Sequence, residues 1–273
     1  MAPPLSQWQA LTTSELAAAA QADAVAIQPV AAIEQHGAHL PLATDLSIAG
    51  GLLDAAATQL DPAITALQLP PLAIGDSDEH ADFTGTLALR PSTLIAVLQD
   101  LGTSLVRSGV RRLILLNSHG GNREACAIAA QLLRRQAGML AVRADYQTWP
   151  LPEDLDLPAA ECREGIHGGA LETSLMLALD PDAVRRGQVT ATAAPQSRHV
   201  GAAERAWLAQ DLAPGGIVGD PSRASAALGR RLVAHYAALL ADVIRRTAEH
   251  ELPGSGTADC AAPHDCTPEP RDP

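Results

Sequence analysis

The chain has 273 residues, of which 47% are hydrophobic, 18% charged and 2% aromatic, and its formal net charge is −12. This length and composition are typical of a globular protein with an aliphatic core and exclude a disordered chain or a disulfide scaffold. The negative charge disfavours nucleic-acid binding, because a phosphate backbone would be repelled. The sequence has no apolar run of membrane-spanning length and no signal-peptide pattern, so we expect a cytoplasmic protein with no membrane partner.

Strand and helix patterns alternate in the first part of the chain. A hydroxyl three residues before Glu15 predicts a capping box at Thr12, with a helix behind it. Residues 24–30 form an apolar run that is typical of a strand buried on both faces. Asp45 is positioned to cap a helix that runs to about residue 60. Shorter strands are predicted at residues 66–74 and 86–89.

The same alternation continues through the second half. Pro91 predicts the start of a helix that ends near residue 108. Two strands, at residues 112–116 and 140–144, flank a helix that Gly138 terminates. Further helices are predicted at residues 169–179 and 222–248.

These patterns predict the fold class and the domain organisation. Strands that alternate with helices of ten or more residues imply a parallel sheet covered on both faces, which is the α/β class. We find no linker that would divide the chain, so we predict a single domain over residues 1–252. Residues 253–273 contain little that could be buried, and we expect a disordered tail there.

Residues 34–45 carry the first cluster of polar side chains, directly after a predicted strand. Glu34 and His36 lie two positions apart in extended backbone and therefore share a face. Asp45 can return to the same place from the start of the next helix. One imidazole and two carboxylates suit a borderline or hard divalent metal. The alternative interpretation is a polar loop in which Asp45 is only a helix cap.

Two further histidines each precede a pair of glycines. His119 follows the most apolar strand, and the glycines behind it allow the backbone to approach an ion or a substrate closely. A phosphate-binding turn is the alternative, although the Lys and Ser/Thr of a P-loop are absent. Glu172 follows His167 in the first turn of a predicted helix. The helix dipole favours a carboxylate at that place whether or not it has another role.

Together the three segments resemble the creatininase (creatinine amidohydrolase) family. The family pattern has a Glu-Gln-His-Gly-x-His-Leu-Pro-Leu-x-Thr-Asp block, then His-Gly-Gly-Asn after a strand, then His-x-Gly-x-x-Glu-Thr-Ser. This sequence matches all three in order, at residues 34–45, 119–122 and 167–174. Weaker matches at residues 75–86 and 216–221 extend the resemblance over residues 20–248.

The resemblance implies a three-layer α/β/α sandwich with a mostly parallel central sheet. It also implies two divalent metal ions (Zn, Mn or Fe) and a homo-oligomer, which is a hexamer in many members. Glu34 and His119 would bind one metal, His36 would bind the other, and Asp45 would bind both. A metal-bridging hydroxide would attack the carbonyl of a small-molecule amide, and His167 would pass a proton to the leaving nitrogen.

Position 121 departs from creatininase itself, which has a glutamate there that binds the second metal. This chain has Gly121, as many members of the family do. Glu172 would complete the second metal site or would orient His167, so both residues are candidate catalytic residues. The predicted metal ligands are Glu34, His36, Asp45, His119 and Glu172.

The expected activity is that of a hydrolase acting on C–N bonds other than peptide bonds. Its substrate would be a small cyclic or formyl amide, and Gly121 speaks against creatinine itself. A peptidase of a modified precursor peptide, as in the mycofactocin branch of the family, is the second hypothesis. The third is a metal-binding protein without turnover, against which His167 argues because a structural site has no use for a proton shuttle.

Three other polar residues have open interpretations. Glu79 and His80 either line the mouth of the pocket or take no part in it. His39 either supports the metal site or packs on Pro41.

Overall fold

A computed structural model describes residues 5–193 and 195–252. Its main sheet has five strands: β1 Leu5–Gln7, β2 Val25–Val30, β3 Ala66–Gln68, β4 Arg112–Asn117 and β5 Leu140–Asp145. The order across the sheet is β1-β3-β2-β4-β5, and every neighbouring pair is parallel. A separate antiparallel hairpin joins β6 His199–Val200 to β7 Ala203–Glu204.

Helices cover both faces of the main sheet. They are α1 Thr13–Gln21, α2 Thr44–Ala57, α3 Pro91–Arg107, α4 Arg123–Ala137, α5 Ala159–Glu164, α6 Ala170–Leu179, α7 Ala209–Leu212 and α8 Ala226–Glu249. Leu113 and Leu115 of β4 pack in one core with residues of α1, α3 and α4. Ile114 and Leu116 point to the opposite face, into a core with α2 and α8. The predicted three-layer α/β/α sandwich with a parallel central sheet is therefore confirmed.

Several local predictions hold. Thr12 forms the capping box of α1 with Glu15, whose carboxylate accepts a hydrogen bond from the Thr12 backbone N–H at 2.7 Å. Pro91 is the first residue of α3. Gly138 ends α4 in the left-handed conformation, at φ 64°.

Other local predictions are wrong. Asp45 does not cap α2, because the helix begins one residue earlier and its cap position, Ala43, offers no side-chain hydrogen bond. The strand predicted at residues 66–74 ends at Gln68, just before two prolines that cannot donate to a sheet. Residues 86–89 form no strand; Leu87 makes only an isolated bridge with Ile33.

None of the described helices combines the length and the apolar character that a membrane crossing requires. The predicted tail, residues 253–273, lies outside the described residues, so the domain boundary at residue 252 stays a prediction.

Candidate metal centre

The predicted site segments meet at the carboxyl edge of the sheet. β2 and β4 are neighbours, and Val30 pairs with Asn117 at the last position of both strands. Glu34 and His36 follow the end of β2, and His119 follows the end of β4. Both segments therefore leave the sheet at its carboxyl edge, where ligand sites of open parallel sheets lie. The first turns of α2 and α6 bring Asp45 and Glu172 to the same place.

Glu34, Asp45 and His119 form one group of potential metal ligands. Nδ1 of His119 lies 3.2 Å from Oε1 of Glu34 and 3.4 Å from Oδ2 of Asp45. On the far side of the ring, Nε2 donates a hydrogen bond to the backbone carbonyl of Asp76 at 2.8 Å. This bond keeps a proton on Nε2 and directs Nδ1 at the two carboxylates, so Nδ1 is the atom that could bind a metal ion.

A second group, beside the first, consists of His36, His167 and Glu172, whose potential ligand atoms lie within 4.8 Å of one another, and Asp45 contacts this group through His36. Nε2 of His36 lies 3.5 Å from Oδ1 of Asp45 and 3.7 Å from Oε2 of Glu172. Nδ1 of His36 donates to the backbone carbonyl of Glu34 at 3.2 Å, so Nε2 is the free ligand atom. Asp45 therefore presents one carboxylate oxygen to each group.

Four polar atoms of the centre are buried without a hydrogen-bond partner in the described part of the chain. They are both carboxylate oxygens of Glu34, Nε2 of His36 and Oδ2 of Asp45. Buried polar atoms are normally paired, because leaving one unpaired costs several kilocalories per mole in an apolar surrounding. A cation bound between these atoms would satisfy all four, so this donor set of carboxylates and imidazoles fits divalent metal ions.

The protonation states of the centre also fit bound metal ions. Burial lowers the pKa of His36, but the carboxylates of Asp45 and Glu172 outweigh it and raise the pKa to about 9. Burial also opposes ionisation of Asp45, yet His36 and His119 lower its pKa to about 2. Protons on these imidazoles therefore balance the carboxylates. Metal ions would displace those protons, since a ligating imidazole is neutral.

Glu172 differs from the other carboxylates. Burial raises the pKa of Glu172 to about 7, and the charge of Asp45 acts in the same direction. Its Oε2 also accepts a hydrogen bond from the backbone N–H of Gly168 at 2.6 Å. That bond ties the carboxylate to the loop that carries His167.

His167 lies at the centre with one ring nitrogen free. Its Nε2 donates to the backbone carbonyl of Gln35 at 2.7 Å, and Nδ1 lies 3.5 Å from Oε1 of Glu34. Burial holds the pKa of His167 well below its ordinary value, and the neighbouring His36 and His80 add to the effect. The neutral ring thus turns a lone pair towards the site. Ligand atoms of His167 also lie within 4.8 Å of those of His36 and Glu172, so the geometry permits either proton transfer or coordination.

His80 lies deeper than the pocket mouth. It is 2% exposed, and its ring centroid lies 4.1 Å from that of His167. Nε2 of His80 is 3.7 Å from Oε1 of Glu34, and Glu34, His80 and His167 form a further group of potential ligands. The motif at residues 75–86 was the only sequence signal for this position.

Glu79 occupies the space beside Gly121. Its Oε1 lies 3.4 Å from Nε2 of His119, and a Cβ at position 121 would come within 2.7 Å of that oxygen. The same Cβ would lie 2.6 Å from the His119 ring. A side chain at position 121 is therefore incompatible with this arrangement, and Glu172 is the residue that supplies a carboxylate to the second group.

Two buried residues hold α6 in place. Glu161 accepts hydrogen bonds from the backbone N–H of Ala170 at 2.8 Å and of Asp220 at 2.9 Å. His39 contacts the hydroxyl of Thr173 at 2.9 Å through Nε2, so it supports the helix that carries Glu172. Sequence analysis did not single out Glu161, because nothing near it in the chain indicates a partner 59 residues away.

A cavity of about 690 Å³ opens onto the metal centre. Four aromatic side chains, Tyr146, Trp149, Trp207 and Tyr236, line it together with the site residues. Its volume lies within the roughly 300–1,000 Å³ that is typical of pockets for drug-sized ligands. The centre is therefore accessible to a substrate larger than a single formamide group.

Comparison with known sequences gives one family and several named relatives. A family model described as "Creatininase: Creatinine amidohydrolase" matches residues 9–244. A protein of Mycolicibacterium smegmatis named "Mycofactocin precursor peptide peptidase" is 35% identical, covering 80% of this chain and 83% of the relative. A "Creatinine amidohydrolase" of Pseudomonas putida is 32% identical, covering 60% of this chain and 68% of the relative.

Solved structures of the same family share the fold. A structure described as "Creatininase Mn" superposes with a TM-score of 0.73 at 27% identity, covering 88% of this chain and 97% of the other. A mutant creatininase of "Zn-Zn type" has a TM-score of 0.73 at 29% identity, with the same two coverages. Divalent metal ions therefore occur in structures of this fold.

Proposed function

Since this chain belongs to the creatininase family, we propose that it is a metal-dependent amidohydrolase that acts at the centre formed by Glu34, His36, Asp45, His119 and Glu172. One observation carries the proposal. Asp45 directs Oδ1 to one group of ligands and Oδ2 to the other, and the atoms that converge there are buried without hydrogen-bond partners. Such an arrangement suits two cations held side by side.

The ligands divide between two metal sites. Glu34, Asp45 and His119 would hold one ion, and His36, Asp45 and Glu172 the other. When bound, the ions would lower the pKa of water and polarise the carbonyl of the substrate. Zn, Mn and Fe all accept a mixed set of nitrogen and oxygen ligands, so the donor set alone does not choose among them.

His167 would move the proton of the reaction. Nδ1 faces the centre with a free lone pair, while the Nε2 proton is engaged by Gln35. Nδ1 can accept a proton from the attacking water and return it to the leaving nitrogen. The hydrogen bond that Nε2 donates to the Gln35 carbonyl would hold the ring in the orientation that this transfer needs.

Two substrate classes are candidates, and a peptide-like amide comes first. A cavity of about 690 Å³ that is lined by four aromatic side chains is larger than the volume that a formyl amide or a small lactam fills. The relative named a peptidase covers 80% of this chain, which also supports placing a peptide-like amide first. A small cyclic or formyl amide is the second candidate, supported by the relative named creatinine amidohydrolase.

A substrate panel tests the proposal. Purified protein is reconstituted separately with Zn, Mn and Fe and given short peptides, lactams including creatinine, and formyl amides. We expect metal-dependent hydrolysis that a chelator abolishes, with short peptides ahead of lactams. A protein that binds metal but hydrolyses no member of the panel would instead be a metal-binding protein without turnover.

The assembly state belongs to the same proposal. The family resemblance implies a homo-oligomer, and we expect a hexamer in solution. Light scattering behind a sizing column measures the mass directly. A monomer at micromolar concentration would contradict this expectation but would not bear on the proposed metal chemistry.

A further inference from the structure

Three arginines line the cavity above the metal centre: Arg123, Arg163 and Arg198. Arg198 is neutralised, since it lies 3.1 Å from Glu204 and 3.8 Å from Glu164. The side chain of Arg163 is exposed to solvent, which can stabilise its charge. Arg123 differs from both, because it is only partly exposed, no acidic side chain among the described residues pairs with it, and its Nε is fully buried without a hydrogen-bond partner.

The Arg123 guanidinium has no partner within residues 5–193 and 195–252. It makes neither an ion pair nor a side-chain hydrogen bond there, and the neighbouring Glu124 is exposed and does not pair with it. Asp145, at the end of the neighbouring strand β5, already has other partners. Asp145 lies 2.7 Å from Nε of Arg143 and accepts a hydrogen bond from Asn117 at 2.8 Å.

The position of Arg123 relative to the centre is fixed by secondary structure. It is the first residue of α4, and one helical turn, Gly120–Asn122, separates it from His119. Its backbone carbonyl accepts a hydrogen bond from Arg143 at 3.1 Å. A group bound by the guanidinium would therefore lie in the same cavity as the scissile amide.

An arginine is poorly placed there unless an anion binds to it. The first turn of a helix carries a partial positive charge and favours acids, so a cation at this position is unfavourable by itself. A partly buried charge without a counter-charge adds to that cost. A negative group that enters the cavity would lower both of these energetic costs.

We propose that Arg123 binds a carboxylate of the substrate, separate from the amide that is cleaved. This inference rests on the proposed function and specifies its substrate as an amide that bears a free carboxylate, such as a peptide with a free C-terminus. A carboxylate matches one guanidinium in charge and can accept two parallel hydrogen bonds from it. A phosphate would bring more charge into a cavity whose other nearby groups, Glu79, Glu124 and Glu204, are acidic.

Binding of a matched probe pair tests this without turnover. The probes are 4-oxopentanoate, a ketone isostere of N-acetylglycine that has no amide to cleave, and its methyl ester, titrated calorimetrically into metal-loaded protein. We expect wild type to bind the carboxylate about 10- to 100-fold more tightly than the ester, the range of a charge-assisted hydrogen-bonded pair. Arg123→Gln should bring the two within about twofold. Arg123→Lys, which retains the charge but lacks the planar fork, should fall between them.

Two control variants sharpen the test. Arg230→Gln removes an exposed charge from α8, outside the cavity, and should leave the preference intact. Arg163→Gln removes another charge from the cavity itself. A preference lost in Arg163→Gln and kept in Arg123→Gln would overturn the assignment, as would equal binding of both probes by wild type. An altered oligomeric mass in Arg123→Gln, with the probe preference kept, would instead assign the guanidinium to a subunit contact and overturn the proposal.

Measurements of turnover distinguish a failure of the carboxylate site from a failure of the hydrolase proposal. The same comparison is made with peptides that carry a free C-terminus or a C-terminal methyl ester. If no amide is hydrolysed but the binding preference depends on Arg123, the carboxylate site stands and the hydrolase proposal fails. If both peptides are hydrolysed equally and wild type shows no binding preference, the hydrolase proposal stands and the carboxylate site is wrong.

Discussion

At the scale of single residues, Asp45 has the most connected position in the centre. Its two oxygens face different partners, His36 at 3.5 Å and His119 at 3.4 Å. It has no role as a helix cap, since α2 begins before it. A substitution at this position therefore reports on the metal site without a cap effect.

We predict that Asp45→Asn loses both metals. The amide retains the size of the side chain but offers one neutral oxygen, which cannot hold two cations. Metal analysis of the purified variant should give well below the wild-type content, and activity should disappear. The metal-free variant should also melt at a lower temperature than the metal-free wild type, because His36 and His119 lower the pKa of Asp45 to about 2 and the amide loses that stabilisation. Full metal content and activity in Asp45→Asn would rule out the bridging role.

His167 and Glu172 exchange roles in the two possible assignments. We predict that His167→Ala keeps its metals and loses turnover, by roughly 10²- to 10⁴-fold, the usual contribution of proton transfer. Glu172→Ala should lose metal, because it removes a carboxylate from the second group. Metal content and kcat are measured for both variants side by side. Metal loss in His167→Ala with normal content in Glu172→Ala would exchange the two roles.

At the scale of elements, the turn behind β4 sets how closely Glu79 can approach His119. We predict that Gly121→Ala weakens metal binding, since its Cβ would come within 2.6 Å of the His119 ring and 2.7 Å of Glu79. Gly120→Ala is the matched control, because a Cβ there meets nothing within 4 Å. Metal dissociation constants are compared by competition with a chelator. Equal constants for the two variants would contradict this account of the turn.

Glu161 connects α5, α6 and the segment at Asp220, so it positions the residues on both sides of the loop at 165–169. We predict that Glu161→Gln destabilises the protein by about 1–3 kcal/mol, because one backbone N–H loses its acceptor. Metal affinity should fall as well. Glu172 lies in the first turn of α6, which Glu161 holds in place, so a shift of α6 would move this carboxylate. Glu164→Gln on the same helix is the control, as that side chain is 40% exposed. Denaturant unfolding and metal titration give the two readouts, and identical curves for both variants would contradict the positioning role.

At the scale of the whole molecule, the centre joins four parts of the chain that are distant in sequence. They are the segments after β2 and β4 and the first turns of α2 and α6. We predict two metal equivalents per chain and a higher melting temperature in the loaded protein. A 100-fold excess of metal over its Kd adds about 2.7 kcal/mol for each site. Elemental analysis and thermal unfolding with and without chelator measure both, and protein that binds no metal after reconstitution would end the proposal.

The sequence by itself determined the fold class, the capping box at Thr12 and the residues that meet at the centre. These features depend on short-range patterns, namely apolar runs, helix signals and ligand types placed after strands. The three blocks at residues 34–45, 119–122 and 167–174 therefore identified the site before any distance was known.

Only the tertiary structure decided how those residues face one another. It gave Asp45 two partners in place of a helix cap, buried His80 against His167 and put Glu79 beside Gly121. It also left Nε of Arg123, in the wall of the cavity, without a hydrogen-bond partner among the described residues. Each of these outcomes depends on contacts between segments tens of residues apart. Such contacts are set by the packing of helices on the sheet, and no local pattern records them.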